Sequence, residues 1–355
     1  MKELKFLRNA LGMIQLGALS MIGLLIVKTP ATGQTPGSGV GPMRTQTFQL
    51  QAGWNAVYLE IEPLKGDPSA LFAGTPIEIA AAYLRPVTAM EFIENPTAVL
   101  PDRKGWSVWY APQREDALLS NLFAIQAHQA FLLFSKEAFT WTLQGTPLFG
   151  SARWHPNAFS LVGFPIDAAE QPTLASYFAG AAAHAPLKIY QLNGGNWTLV
   201  GKPAETVMKP GAAYWVFSKG ASKFAGPLAV DFGNSAAGGV VFNQEVSKRR
   251  IEVRNVATFP QNLTLTLQPG TTGLLPLSYR LRVLDGPNQP IEAVSVAFPT
   301  SLGMGPIEPG KAFVLELEVA QQSVNAPLMS TTLTISSSAG QRIEVPLISI
   351  REDLK

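Results

Sequence analysis

Residues 50–63, LQAGWNAVYLEIEP, return in altered form at 155–168 as HPNAFSLVGFPIDA. Three further landmarks follow each stretch in the same order. Residues 106–112 (WSVWYAP) match 197–203 (WTLVGKP), 130–136 (AFLLFSK) match 213–219 (AYWVFSK), and Gly145–Leu148 matches Gly226–Leu228. An internal duplication of this kind predicts one supersecondary unit used twice. It also gives a handle on function: a side chain needed for chemistry at one place only should break the repeat.

The pattern inside each copy is mainly strand. Val57, Leu59 and Ile61 alternate with their neighbours in the first copy, and Val162, Phe164 and Ile166 hold the matching places in the second. A period of two puts each set on one face of a strand, toward a core. A short helix is expected next, opened by Asp67-Pro68 and closed by Gly74 in copy one, and by Gln171-Pro172 and Gly180 in copy two. Proline suits the first helical turn and glycine the residue past the last one. Further strands are expected over 80–84, 106–110, 131–134 and 139–143, with counterparts downstream. The first copy runs over 45–150 and the second over 151–232, and a small-residue linker, GNSAAGG, follows at 233–239.

Residues 240–350 form a different unit. Leu263, Leu265 and Leu267 alternate with threonines; Tyr279, Leu281 and Val283 alternate with arginines; Phe313, Leu315, Leu317 and Val319 follow the same rule. Turn residues separate the runs at Pro269-Gly270, Asp285-Gly286-Pro287 and Pro309-Gly310, with a hairpin at Ala339-Gly340. Seven or eight half-apolar strands in such a length predict a two-sheet sandwich. IEPGKAFVLELEV (307–319) and TTLTISSSAGQRIEVPL (331–347) resemble bacterial immunoglobulin-like domains, a likeness of architecture only. The expected fold is therefore mainly β: two tandem duplicated small β-rich modules plus a C-terminal immunoglobulin-like β-sandwich.

Gly53-Trp54-Asn55-Ala56-Val57 in copy one and Pro210-Gly211-Ala212-Ala213-Tyr214-Trp215 in copy two carry a second resemblance. They are similar to the opening GWN and the late Pro-Gly-x-x-Tyr-Trp strand of a module common in secreted, uncharacterised bacterial proteins. The GWN element is reduced to Phe159-Ser160-Leu161-Val162 in copy two, and the Pro-Gly element becomes Ala127-His128-Gln129-Ala130-Phe131-Leu132 in copy one. The resemblance covers about 45–230 and implies a secreted β-module protein with no catalytic residues to carry over.

The N-terminus supplies an address. Lys2, Lys5 and Arg8 precede an apolar run from Ala10 to Val27, and Ala31-Thr32-Gly33 offers small residues for a cut. This is the layout of a signal peptide over 1–33, followed by a Gly/Pro/Ser-rich leader at 34–44. If uncleaved, the apolar run would be a membrane anchor, the chain's sole membrane contact. The chain carries 27 basic and 25 acidic residues; without 1–33 it holds 23 and 24, a net charge of −1. That balance excludes a nucleic-acid footprint, and Lys248-Arg249-Arg250 reads as a solvated strand edge. With no cysteine there is neither a disulfide framework nor a lipid-modified cysteine.

Chemistry is sparse. The three histidines, His128, His155 and His184, have no zinc-ligand spacing, so no metal site is expected. His128 aligns with Gly211 and is expected to face solvent in a turn. Glu60 with Glu62, and Glu316 with Glu318, read as solvated strand faces. No nucleophile elbow or phosphate loop is present, and no catalytic residue or cofactor is assigned. All seven tryptophans fall in the duplicated region. Trp106 matches Trp197, as a shared core requires, whereas Trp109, Trp141 and Trp154 have no aromatic counterpart. These three are either core or stacking platforms for sugar rings.

Copy one also holds extra chain, an excess of 16 residues before Trp106 and 8 after it, rich in mixed charge (Glu91, Glu94, Asp102, Arg103, Lys104, Arg114, Glu115, Asp116). Loops on a rigid scaffold are where binding concentrates. The expected function is an exported, non-enzymatic interaction or structural protein of the cell surface or periplasm, with a protein or polysaccharide partner. The alternatives are a carbohydrate-binding module using Trp109, Trp141 and Trp154, and then a secreted hydrolase.

Overall fold

The computed structural model describes residues 42–84, 105–233, 238–283 and 295–354. The expected signal peptide, most of the expected leader, the insertion bearing Glu91, Glu94, Asp102, Arg103 and Lys104, and the expected turn at Asp285-Gly286-Pro287 lie outside them.

Copy one contains β1 (Arg44–Leu50), β2 (Gly53–Leu59), β3 (Ile61–Pro63), α1 (Pro68–Leu71) and β4 (Ile77–Tyr83). It continues with β5 (Trp106–Tyr110), β6 (Gln129–Ser135) and β7 (Phe139–Pro147). Copy two contains β8 (Ala158–Gly163), α2 (Leu174–Tyr177), β9 (Ile189–Asn193), β10 (Asn196–Leu199) and β11 (Ala213–Ser218). The two sheets have matching strand orders. Copy one orders its four strands β2-β6-β4-β5, and copy two orders the equivalents β8-β11-β9-β10, all antiparallel. The helices also match: each sits between the first and second strands of its sheet. Pro68 occupies the first turn of α1 behind the Asp67 cap, as expected. In copy two, by contrast, Thr173 is the cap and Pro172 precedes it, because the threonine hydroxyl can accept from Ser176 N–H.

Each four-stranded sheet is apolar on both faces, and this decides the architecture. One face covers its own module. Val57, Leu59, Ala80, Ala82, Phe131 and Leu133 pack with Phe48, Leu143 and Phe72 in copy one, while Val162, Phe164, Tyr214 and Val216 pack with Leu174 and Tyr177 in copy two. The opposite faces meet one another: Ile79, Trp106, Val108 and Leu132 of copy one lie in one cluster with Trp197 and Trp215 of copy two. The modules thus pack like the halves of a homodimer fused in one chain. At the seam, Tyr58 meets Gly163, its own counterpart in the repeat; a Cβ on Gly163 would fall 2.2 Å from the Tyr58 side chain. Only one of the two equivalent positions can carry a side chain.

Phe48 and Trp141 belong to a feature copy two lacks, the three-stranded sheet β1-β7-β3 that closes copy one's outer face. The segment equivalent to the end of β7 behaves differently in copy two. There β12 (Leu228–Asp231) pairs with β14 (Lys248–Asn255) of the C-terminal unit. Leu228 belongs to the sandwich core, so the sequence boundary at 232 passes through a sandwich sheet.

The sandwich adds β13 (Val240–Phe242), β15 (Gln261–Pro269), β16 (Leu277–Val283), β17 (Val296–Ala297) and β18 (Ser301–Ile307). Completing it are β19 (Ala312–Val319), β20 (Leu328–Ser337) and β21 (Arg342–Ile350). Two five-stranded sheets, β12-β14-β19-β16-β17 and β13-β21-β20-β15-β18, enclose a core of Leu263, Leu265, Phe313, Leu315, Leu333, Val345 and their neighbours. The alternation read in the sequence is the alternation observed. Strands exceed the expected seven or eight because copy two lends β12 and because β17 is a two-residue edge.

The β20–β21 hairpin keys the sandwich into copy two. Asp167 N–H donates to Gly340 O and Arg342 N–H to Pro165 O, and a Cβ on Gly340 would lie 2.0 Å from Glu170 O. Gln341 is 1% exposed; its Oε1 accepts from Leu228 N–H and its Nε2 donates to Ala225 O.

Gly163→Ala is expected to lower unfolding stability by about 2 kcal/mol, the cost of overpacking a closed seam. Gly201→Ala, where no atom lies within 4 Å of the new Cβ, should stay within about 0.5 kcal/mol of wild type. Urea midpoints at constant m check both.

Candidate functional site

Concavity concentrates where the two copies and the sandwich meet. A cavity of about 200 Å³ and an adjoining cleft of about 630 Å³ share Tyr58, His128, Gly163 and the inter-copy segment 149–152 in their walls. Two of the walls break the repeat: Tyr58 stands opposite Gly163, and His128 opposite Gly211. Glu60, which lines the smaller cavity, stands opposite Pro165.

Glu60 follows β2 directly and is 4% exposed, so the expected solvated face is wrong for it. Chain alternation turns it toward the sandwich, where guanidinium groups make its burial tolerable. Its Oε2 accepts from Arg44 at 2.8 Å and from Arg342 at 2.5 Å. The other nitrogen of Arg44 reaches Glu344 at 2.7 Å. Gln46 holds the strand ends together, accepting from Glu60 N–H and donating to Tyr58 O. Burial and the attraction of the two carboxylates act in opposite senses on Arg44, and the balance raises its pKa. Glu62 is also engaged, accepting from Ala127 N–H at 2.8 Å.

His128 has the turn backbone expected from its alignment with Gly211, φ +58° against +70°. Its side chain, however, turns inward. Leu148 O can only accept, so Nε2 carries the proton donated to it at 2.8 Å. Nδ1 is then an acceptor for the Tyr58 hydroxyl at 3.0 Å. Burial pushes the His128 pKa down, against smaller raising effects of the Leu148 bond and the nearby carboxylates. Burial, and then Glu60, pushes Tyr58 far up, so it stays a phenol. His184 is the mirror case: Nδ1 donates to Phe217 O, Nε2 accepts from Ser222, and burial lowers its pKa.

Trp109 and Trp141 come together in copy one's core, both against Phe72, whereas Trp154 lies apart in copy two. Trp109 is 5% exposed, donates to Ser69 Oγ and packs on Phe72. Trp141 is 3% exposed and stacks on Phe48. Trp154 is half-buried, donates to Phe224 O at 2.6 Å and lies 4.3 Å from the His184 ring. The sugar-platform expectation fails for Trp109 and Trp141 because Ser69 of α1 and Phe72 cover the first, while the second sits on β7 facing the core that its sheet shares with the four-stranded sheet. The matched pair, Trp106 and Trp197, lies between the copies, and neither indole N–H has a partner in the structure. Aromatic packing fills that seam, and the backbone bond from Tyr58 N–H of copy one to Gly211 O of copy two, at 2.7 Å, crosses it.

What the cluster can do chemically is hold. Glu60 and Glu344 close on one guanidinium, and His128 and Tyr58 satisfy each other. No group of three or more metal-ligating side chains occurs among the described residues. Sequence reasoning missed Arg44, Glu60, Arg342, Glu344 and Gln341; the break in the repeat at Glu60 was the available signal.

No protein-family model matches the chain, and no curated protein matches it. Among solved structures, it is similar to a FixG-related protein from Vibrio parahaemolyticus (13% identity, 35% of this chain and 94% of that one, TM-score 0.21). The CupB2 chaperone of Pseudomonas aeruginosa matches at 16% identity over 33% and 55% of the two chains, TM-score 0.23. The Enterococcus faecalis MSCRAMM ACE matches at 7% identity over 88% and 84%, TM-score 0.20. At these scores the architecture stands on its own strands and cores.

His128 and His184 both have folded pKa values below the ordinary 6.5, so below that pH the unfolded chain binds more protons. Their contribution to stability is full above about pH 6.5 and is lost as pH falls through the folded values. The melting temperature should drop from about pH 7 to about pH 5, and less steeply in His184→Gln. Glu60→Gln should cost about 3 kcal/mol at neutral pH by taking the carboxylate from Arg342 and leaving Arg44 with Glu344 alone.

Proposed function

We propose that the chain is an exported, non-enzymatic bacterial protein that works as a rigid interaction or structural component of the surface or periplasm. It takes its place with the secreted tandem GWN-module proteins it resembles. The observation that carries this reading is how the junction spends its side chains. Glu60 accepts from Arg342 of the sandwich and Glu344 of the sandwich accepts from Arg44 of copy one, while His128 and Tyr58 bond each other and Leu148 O within copy one. The result is a scaffold whose parts are fixed relative to one another. The N-terminal layout of cations, apolar run and small residues supports export. No helix among the described residues is long and apolar enough to cross a membrane.

The sugar-binding alternative has lost its buried platform residues, and the hydrolase alternative finds Glu60 closed on Arg44 and Arg342 and Glu62 engaged by Ala127 N–H. Expression of the full chain in a Gram-negative host, followed by fractionation and intact mass, tests the export claim. The expected product starts at Gln34 and is released with the periplasm. A cytoplasmic, full-length product would overturn it. Retention of the mature protein on a polysaccharide column would restore the sugar reading.

A further inference from the structure

Copy one's eight-residue excess after Trp106 forms a loop spanning 111–126, and it is held firmly while pointing apolar groups at solvent. Asn121 Oδ1 accepts from Val108 N–H at 2.6 Å and Ser120 Oγ from Tyr110 N–H at 3.0 Å, so the loop caps the edge of β5. Val108 O accepts in return from Asn121 and Leu122 N–H. Leu122 and Ile125, 5% and 1% exposed, anchor the loop in the module core. Arg114 pairs with Asp116 and Glu78 and lies over the Tyr110 ring, while Lys136 closes on Glu78. From this fixed base Leu118 stands 97% exposed, Phe123 77% and Leu119 58%. Isolated exposed apolar residues need no account, but three on one short, bonded loop do.

We propose that Leu118, Leu119 and Phe123 form a knob that inserts into an apolar groove of a partner protein; this rests on the interaction reading above. Three considerations select that occupant. Apolar side chains ringed by an arginine and carboxylates have the anatomy of an interface core with a polar rim. The knob is convex and exposes on the order of 500 Å², less than the roughly 800 Å² per partner of a standard interface, so two knobs facing each other would bury too little for a stable dimer. Glu115, exposed and without an ion-pair partner among the described residues, together with Asp116 and Glu78 at the base, disfavours an anionic bilayer. Copy two has no such loop, which matches a contact made by one copy only.

A benzoylphenylalanine photo-crosslinker at position 118 of the full chain, expressed in the source cell, tests the proposal, with position 199 as an exposed apolar control. The expected result is one protein adduct from 118 and none from 199. Purified, that protein should bind the Leu118→Ser/Phe123→Ser variant at least tenfold more weakly than wild type, while the variant melts at the wild-type temperature. No adduct at 118, an adduct of the chain with itself, or equal affinity for the variant overturns the proposal. So does knob-dependent flotation with phosphatidylglycerol vesicles. A partner captured from 199 alone sinks the knob but leaves the interaction reading standing.

Discussion

The packing of one copy's sheet against the other's is the constraint on which the rest depends. A small four-stranded sheet with a short helix buries one apolar face within its own module and leaves the other exposed. In this chain each such face finds the equivalent face of the other copy, and Trp106, Trp197 and Trp215 fill the space between them. A single module would expose that aromatic face to water, at roughly 25 cal/mol for each Å². Duplication in one chain supplies the cover without the entropy cost of bringing two molecules together.

The two halves also differ at the seam. Where identical subunits would place two identical side chains on each other, this chain keeps Tyr58 on one side and Gly163 on the other. The tyrosine then reaches His128, another position at which the copies differ. Glu60, facing the sandwich where copy two has Pro165, gathers Arg44 and Arg342. Asymmetry at the seam thus provides the polar contacts that dock the third unit, and Gln341 completes the docking on copy two.

Much of this was legible in the residues. Period-two alternation located most strands, because a half-buried strand must alternate, and the landmark order gave the repeat. The turn at His128 followed from its alignment with Gly211, though the inward side chain did not. Other features were not legible, since they depend on contacts between distant segments. Glu60 and Glu316 look alike in an alternating strand; only the approach of β21 buries the first. Trp109 and Trp141 looked free because copy two has no counterpart, but the sheet that carries Trp141 is itself an addition of copy one and turns it into the module core. A residue without an equivalent marked a local elaboration of the core as readily as a binding surface. The loop at 117–123 is the elaboration that does face solvent.

The central claim is that both copies and the sandwich fold as one interlocked body. Native-state hydrogen exchange on the mature chain addresses it directly, by comparing the slowest amides of β6, β11 and β20 across increasing denaturant. One body predicts that the three strands converge on a single opening free energy and are destabilised together by Gly163→Ala. Protected β20 amides that keep their opening free energy after β6 and β11 have exchanged would contradict it.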